Sequence, residues 1–249
     1  MANRPRKKSF MKRQNKSTHA LSQANNKLTA ADLPNKNPLP QLQAGCHLAP
    51  TPAILLSCSW ISPDRGELEH NLITLAWAGI VNSDPPMLSV SIRKSRYSHQ
   101  MVSQTRDFCV NLIDRPLVRA LDYAGVVSRR DQDKFKVLGL EGCPLDGLRS
   151  DLWGVKTAPL ILGCQVKQIL ELGSHDLFLA EIVSCKVRDD LWDASGKLHL
   201  ETADLVAYAH GQYMALGEWL GFFGFSLAKD EVFKRRAAAY EDYNRRFKP

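Results

Sequence analysis

The strongest constraint in this chain is how little sequence separates its apolar, β-branched stretches. Leu160–Leu172 and Leu177–Val187 are joined only by GSHD, and Asn71–Ile80 meets Met87–Arg93 across a segment containing SDPP at 83–86. Parallel neighbours need crossovers of a dozen or more residues, so connections this short dictate antiparallel pairing. Consecutive prolines carry no ladder donors, which makes SDPP a turn. Within Met87–Arg93 the alternation is clean: Leu88, Val90 and Ile92 share one face, and Ser89, Ser91 and Arg93 the other.

The remaining elements follow the same logic. Pro52–Trp60 is an apolar run of strand length behind a proline, followed by a polar loop to His70. Ser98 is placed to cap a short helix through Gln104, and Phe108–Ile113 reads as another strand. Pro116 at a helix start, with Leu117, Ala120 and Leu121 at helical spacing, predicts a helix ending near Gly125. Leu205–Tyr208 reads as the last strand, making about seven, and from Glu231 the spacing of Phe233, Tyr240 and Phe247 becomes helical. That helix is expected to pack on the body or on a partner subunit. Short connections among this many strands favour an antiparallel barrel.

Charge divides the chain. The net charge is +7, yet residues 1–45 hold nine Lys or Arg against one Asp, which leaves 24 basic and 25 acidic residues for the rest. The expected organisation is a basic, solvated tail over 1–45, a folded domain over 46–228 and an amphipathic helix over 229–249. A tail of this kind suits disorder, transient nucleic-acid contact or organellar transit, but not secretion, because no apolar segment follows its charges. No run is long and apolar enough for a membrane helix. The six cysteines form no CxxC and no zinc-ligand spacing, which points to a reducing, cytoplasmic compartment and no metal. Cys58, Cys109, Cys164 and Cys185 sit in apolar or alternating runs, where a thiol acts as a small core residue. GxGxxG, GxxxxGK[ST], GxSxG and HExxH motifs are all missing, so nucleotide-fold, hydrolase and zincin readings have no direct support.

One corner carries anion chemistry. Ser91, Arg93, Lys94, Ser95, Arg96, Ser98 and His99 run from a strand end into a helix start, where Arg forks, hydroxyls and free N–H groups suit a phosphate. On composition alone, the plainer reading is a solvated strand end. A second basic group, Ser128, Arg129, Arg130, Asp131, Asp133 and Lys134, reads alone as a surface loop.

Four blocks in order change that weighting: NLITLAWAGIVNSDPPMLSVSIRKSRYSHQM, DYAGVVSRRDQDKF, GSHDLFLAEI and QYMALGEWLGFFGFS, together spanning roughly residues 50–226. They resemble the flavin reductase-like family, the FMN-binding split β-barrel that includes flavoredoxins. The resemblance implies a mainly β, six-stranded antiparallel Greek-key split barrel with peripheral helices and a C-terminal helix. It also implies a homodimer, FMN as cofactor and NAD(P)H as electron donor, or alternatively a flavoredoxin-like carrier serving a protein acceptor. Asn71, Thr74, Ala76, Trp77, Ser83, Asp84, Pro85 and Pro86 match its AWxGxxxSDPP region. Thr74, Leu75, Ala76, Trp77 and Ala78 would then line the flavin ring, and Arg96, Ser98 and His99 the phosphate, with Ser91, Arg93 and Ser95 in the same corner. Ser128, Arg130, Asp133 and Lys134 match the family's CGxxSGRDxDKF, but Ala124 replaces its Cys and Arg129 its second Gly. The loss of that glycine questions the local turn, because arginine tolerates positive φ poorly. His175 falls near the flavin or its substrate, and Trp219, Phe222, Phe223 and Phe225 read as a packed core or interface. Hydride transfer needs no nucleophile, so no catalytic base is named.

Overall fold

The structure is a computed structural model and describes residues 39–247; the basic tail expected over 1–45 lies outside them through residue 38. It divides into two compact units, one of which spans His47–Leu216.

Within that unit, seven strands form one antiparallel sheet: β2 (Ile54–Ile61), β3 (Leu68–Leu75), β4 (Ala78–Ser83), β5 (Pro86–Arg93), β6 (Asp107–Leu112), β9 (Leu160–Glu171) and β10 (His175–Val187). Their spatial order is β3-β2-β6-β9-β10-β5-β4. A three-stranded sheet pairs β1 (Thr51–Pro52), β11 (Val206–Ala209) and β12 (Gln212–Ala215), and β7 (Gly142–Pro144) pairs with β8 (Trp153–Val155). The stretch anticipated as one strand, Asn71–Ile80, breaks at Ala76-Trp77 into β3 and β4, and these lie on opposite edges of the large sheet. Six gaps of about 4.8 Å would hold those edges about 29 Å apart in a flat sheet. The three peptide steps from Leu75 to Ala78 reach only about 11 Å. The sheet must therefore roll up until its edges meet, which produces the split barrel.

Period-two alternation fills both faces of this wall. From β2, Ile54, Leu56, Cys58 and Trp60 point into the barrel, where they meet Leu88, Val90 and Ile92 of β5, Phe108, and Phe178. Ala53 and Leu55 join the outer cluster with Leu72, Cys109, Leu121 and Ile161. Because β2 is covered on both sides, it reads in sequence as a continuous apolar run. Helix α1 (Tyr97–Thr105) contributes Met101 and Val102 to the interior. Helix α2 (Val118–Val126) contributes Leu121 and Ala124 to the outer cluster. Gly125 lies within α2 rather than at its cap, and its value is proximity: a Cβ there would meet the Thr74 Cβ at 3.2 Å.

Several local expectations are corrected. Ser98 does not cap α1: the N-cap is Arg96, and Ser98 is 1% exposed and accepts a hydrogen bond from Asn71 Nδ2 at 2.7 Å. The polar segment after α2 contains a short helix, α3 (Lys134–Leu138), and β12 follows the strand expected to be last. Cys58, Cys109 and Cys164 are core residues, but Cys185 falls on the exposed side of β10.

The second unit includes 217–247 and holds helix α4 (Asp230–Phe247). Trp219, Phe222 and Phe225 pack ring to ring with Phe233, and Trp219 also stacks on Tyr240, whereas Phe223 is fully exposed. The side chains of Tyr243 and Phe247 lie outside the described residues.

Phe178, at 0% exposure, anchors the barrel interior. Phe178→Ala is expected to lower unfolding free energy by about 3–5 kcal/mol in denaturant titration; a loss below about 1 kcal/mol would show that the interior collapses around the gap.

Candidate functional site

The rolled sheet opens at the Ala76-Trp77 seam, and a pocket of about 360 Å³ forms there. Thr74, Leu75, Ala76 and Trp77 supply the seam itself. Ser91 and Arg93 come from the outward face of β5, and His175 from the first residue of β10. The end of α2 adds Asp122, Gly125 and Val126, and the small sheet adds Tyr208 and Tyr213. Trp77 and His175 meet with ring centroids 4.7 Å apart at 39°, and Tyr208 and Tyr213 at 5.8 Å and 58°. Burial, and then the charge of Arg93, lower the His175 pKa, so its imidazole is neutral near pH 7. Its Nδ1 shares a hydrogen bond with Ser174 Oγ at 3.0 Å. The pocket thus combines aromatic faces with one cationic side, a composition suited to a flat heteroaromatic ligand.

A second cleft of about 190 Å³ shares Ile73 and Arg96 with the first, so the two adjoin. It is lined by Asn71, Ser95, Arg96, Tyr97, Ser98, Ser128, Arg129, Arg130 and Lys134, among others. Four of these are cations, and no carboxylate lines the cleft among the described residues. Lys134 is the most constrained of them. Asp133 caps α3 by accepting from Lys136 N at 3.1 Å, which fixes Lys134 at the first helical position. The Lys134 ammonium donates to the carbonyls of Leu72 at 2.5 Å and Ala124 at 2.9 Å, tying β3 to α2 while only 3% exposed. Burial first, and then repulsion from Arg96 and Arg129, bring its pKa down to about 8. An anion in the cleft relieves that repulsion.

Of the residues expected from sequence, these two pockets gather Asn71, Thr74, Leu75, Ala76, Trp77, Ser91, Arg93, Ser95, Arg96, Ser98, Ser128, Arg130, Lys134 and His175. Ala78 packs instead against the barrel core, and Ser83 pairs with Pro86 at the far end of the β4–β5 hairpin. His99 lines neither pocket: its Nε2 meets Asp176 Oδ2 at 2.7 Å and its ring packs edge-on against Phe178. Asp133 acts through its cap. Asp122, Tyr208, Tyr213 and Tyr97 were not anticipated. Tyr97 alone carried a signal, its place between Arg96 and Ser98 in the basic corner.

The donor set fits a flavin mononucleotide. The larger pocket offers ring-sized aromatic walls, the cation cleft matches a phosphate dianion, and the buried Asn71 Oδ1 has no hydrogen-bond partner, leaving an acceptor for a sugar-alcohol hydroxyl. Among the described residues, no His, Cys, Asp or Glu cluster could hold a metal ion, and no helix is long and apolar enough to cross a membrane.

The fold has counterparts among known proteins. The model of the family described as "Flavin reductase like domain" matches residues 47–217. The flavoredoxin of Desulfovibrio vulgaris (Miyazaki F) is 31% identical with a TM-score of 0.66, over 77% of this chain and 100% of that one. The flavoredoxin from Methanosarcina acetivorans is 25% identical with a TM-score of 0.63, over 76% and 100%. An uncharacterised Archaeoglobus fulgidus protein is 27% identical over 118 residues, which make up 47% of this chain and 66% of that protein. The chain therefore spans about two thirds of that relative's length.

Lys134 makes stability depend on pH with a definite sign. Between about 8 and 10.5 the unfolded chain holds a proton that the folded chain has released, so folding becomes more favourable as pH rises through that window. Wild type is expected to gain up to about 3 kcal/mol there relative to Lys134→Met, measured by denaturant titration at each pH. Parallel pH profiles would show that the ammonium is not destabilised in the fold.

Proposed function

This chain belongs to the flavin reductase-like family, and on that premise we propose that it is an FMN-binding oxidoreductase. The larger pocket takes the isoalloxazine ring and the smaller cleft the ribityl phosphate. The observation that carries this reading is that an aromatic pocket and a carboxylate-free cation cleft adjoin at Ile73 and Arg96. The activity proposed is NAD(P)H:flavin reductase. Held by these residues, a flavin would supply the redox chemistry, with a nicotinamide as hydride donor.

The chain's own residues bind and orient. Arg96 belongs to both pockets and so fixes the ligand's register between ring and phosphate. Asn71 and Ser98, already bonded to each other, present their remaining polar capacity to the linking hydroxyls. Arg93 places positive charge beside the ring pocket, where it favours the electron-rich form of a bound aromatic system. Neutral His175 adds hydrogen-bonding capacity without a second charge. No side chain needs to act as nucleophile or general base, which agrees with the lack of a catalytic triad in the sequence. The same reading includes a homodimer, for which exposed Ile80 and Val81 on edge strand β4 offer apolar surface.

The 31% identity to a flavoredoxin over that protein's whole length favours a second reading, in which tightly held FMN exchanges electrons with a protein partner. The visible spectrum of the purified protein, before and after FMN and then with NADH and NADPH in turn, separates the two. A protein that consumes NAD(P)H when FMN is added supports the reductase. A yellow protein inert to both nicotinamides supports the carrier, and failure to take up FMN overturns both. Arg96→Ala is expected to weaken FMN binding by about 1.5–3 kcal/mol, the loss of a charged hydrogen bond, as read by flavin fluorescence titration; unchanged affinity would remove Arg96 from the site.

A further inference from the structure

Arg129 stands where the family pattern has glycine, and the structure shows what the substitution does. Its backbone is not in the positive-φ region, so the turn needs no glycine and carries no strain from its absence. Its side chain lines the smaller cleft and is only 13% exposed. Nε donates to the carbonyl of His70 at 3.0 Å, pegging the guanidinium to β3. The terminal nitrogens are differently placed. Nη2 stands 4.0 Å from Glu69 Oε1 and 3.8 Å from Asp133 Oδ2, which are ion-pair distances beyond hydrogen-bond length. A guanidinium offers five N–H groups, and here one is committed.

Glu69 makes this position tenable. It is 3% exposed, accepts from Tyr97 Oη at 2.7 Å and Trp60 Nε1 at 3.2 Å, and meets Arg65 at 3.3 Å. Burial alone would raise its pKa, but the bonds from Tyr97 and Trp60 and the charges of Arg129 and Arg65 outweigh that and keep it ionised. Tyr97 in turn lies beneath the Arg130 guanidinium, 5.1 Å from its ring centroid. One buried carboxylate therefore stands within ion-pair distance of Arg129 and holds the Tyr97 ring over which Arg130 lies, while its own oxygens are already engaged by other donors. What remains is a pegged, largely buried fork with uncommitted donors beside Arg96, Arg130 and Lys134.

We infer that Arg129 is an additional phosphate ligand and makes the site selective for phosphorylated flavin over riboflavin. The inference rests on the assignment of this cleft to the flavin phosphate. Its consequence is a wider gap between FMN and riboflavin affinity than three cations would give, since riboflavin has the same ring and ribityl chain without the phosphate charge.

The test is fluorescence titration of FMN and riboflavin against wild type, Arg129→Gly, Arg129→Gln and Arg96→Ala. Arg129→Gln retains a donor for the His70 carbonyl while removing the charge, and so guards against a glycine variant that folds poorly. Both Arg129 variants should bind FMN about 10- to 100-fold more weakly, the equivalent of one charged hydrogen bond, while riboflavin affinity changes by no more than about twofold. Parallel weakening of both ligands, or an unchanged FMN affinity, would overturn the inference and leave Arg129 as a structural peg between His70 and Glu69. Failure of the underlying assignment looks different: wild type itself would bind FMN and riboflavin equally well. If wild type prefers FMN and only Arg96→Ala abolishes the preference, the cleft keeps its phosphate and Arg129 loses its role.

Discussion

Two residues, Ala76 and Trp77, connect strands that lie at opposite edges of a seven-stranded sheet, and this short bridge dictates the shape of the molecule. A connection of that length cannot cross a flat sheet, so the sheet curls, its inward faces meet around Phe108 and Phe178, and α1 seals the interior with Met101 and Val102. Curling also leaves a seam. Backbone at a seam is not consumed by a ladder on both sides, and the seam residues Thr74 to Trp77 line the ring-sized pocket. The fold and the site thus have one origin, because the feature that closes the barrel also creates the opening.

Electrostatics then divide the opening. The ring pocket carries Arg93 and Arg96 with Asp122 at another side, whereas the neighbouring cleft gathers Arg96, Arg129, Arg130 and Lys134 with no carboxylate in its lining among the described residues. Clustered cations are costly unless something offsets them. Part of the offset is internal: Lys134 spends hydrogen bonds on two carbonyls, and the buried Glu69 network faces Arg129 from behind. The Lys134 pKa is lowered first by burial and then by the charges of Arg96 and Arg129, so only the smaller part of that shift reports on repulsion that an anion would relieve.

Much of this was legible in the sequence, for identifiable reasons. Short connectors betrayed antiparallel pairing, and the alternation in Met87–Arg93 correctly separated the core residues Leu88, Val90 and Ile92 from the pocket residues Ser91 and Arg93. The Ala76-Trp77 break was hidden because β-forming residues run through it without punctuation. Helix α3 was missed because five residues are too few to show a period, and Ser98 passed for a cap because local sequence cannot reveal that Asn71, 27 residues away, claims its hydroxyl. Asp122, Tyr208 and Tyr213 reach the pocket only through tertiary packing of α2 and the small sheet, so no linear motif could mark them. Arg129 was informative: the lost glycine put the local turn in doubt, and the structure shows a backbone outside the positive-φ region with a further cation in the cleft.

The central claim is that a phosphate resides among these cations, and the phosphorus nucleus reports on it directly. In ³¹P NMR of FMN with the protein in slight excess, the cleft should hold the phosphate as a dianion, so the bound resonance should stay flat well below the free monoester's second pKa of about 6. A bound flavin whose phosphorus still titrates near pH 6 would place the phosphate in solvent and contradict the account.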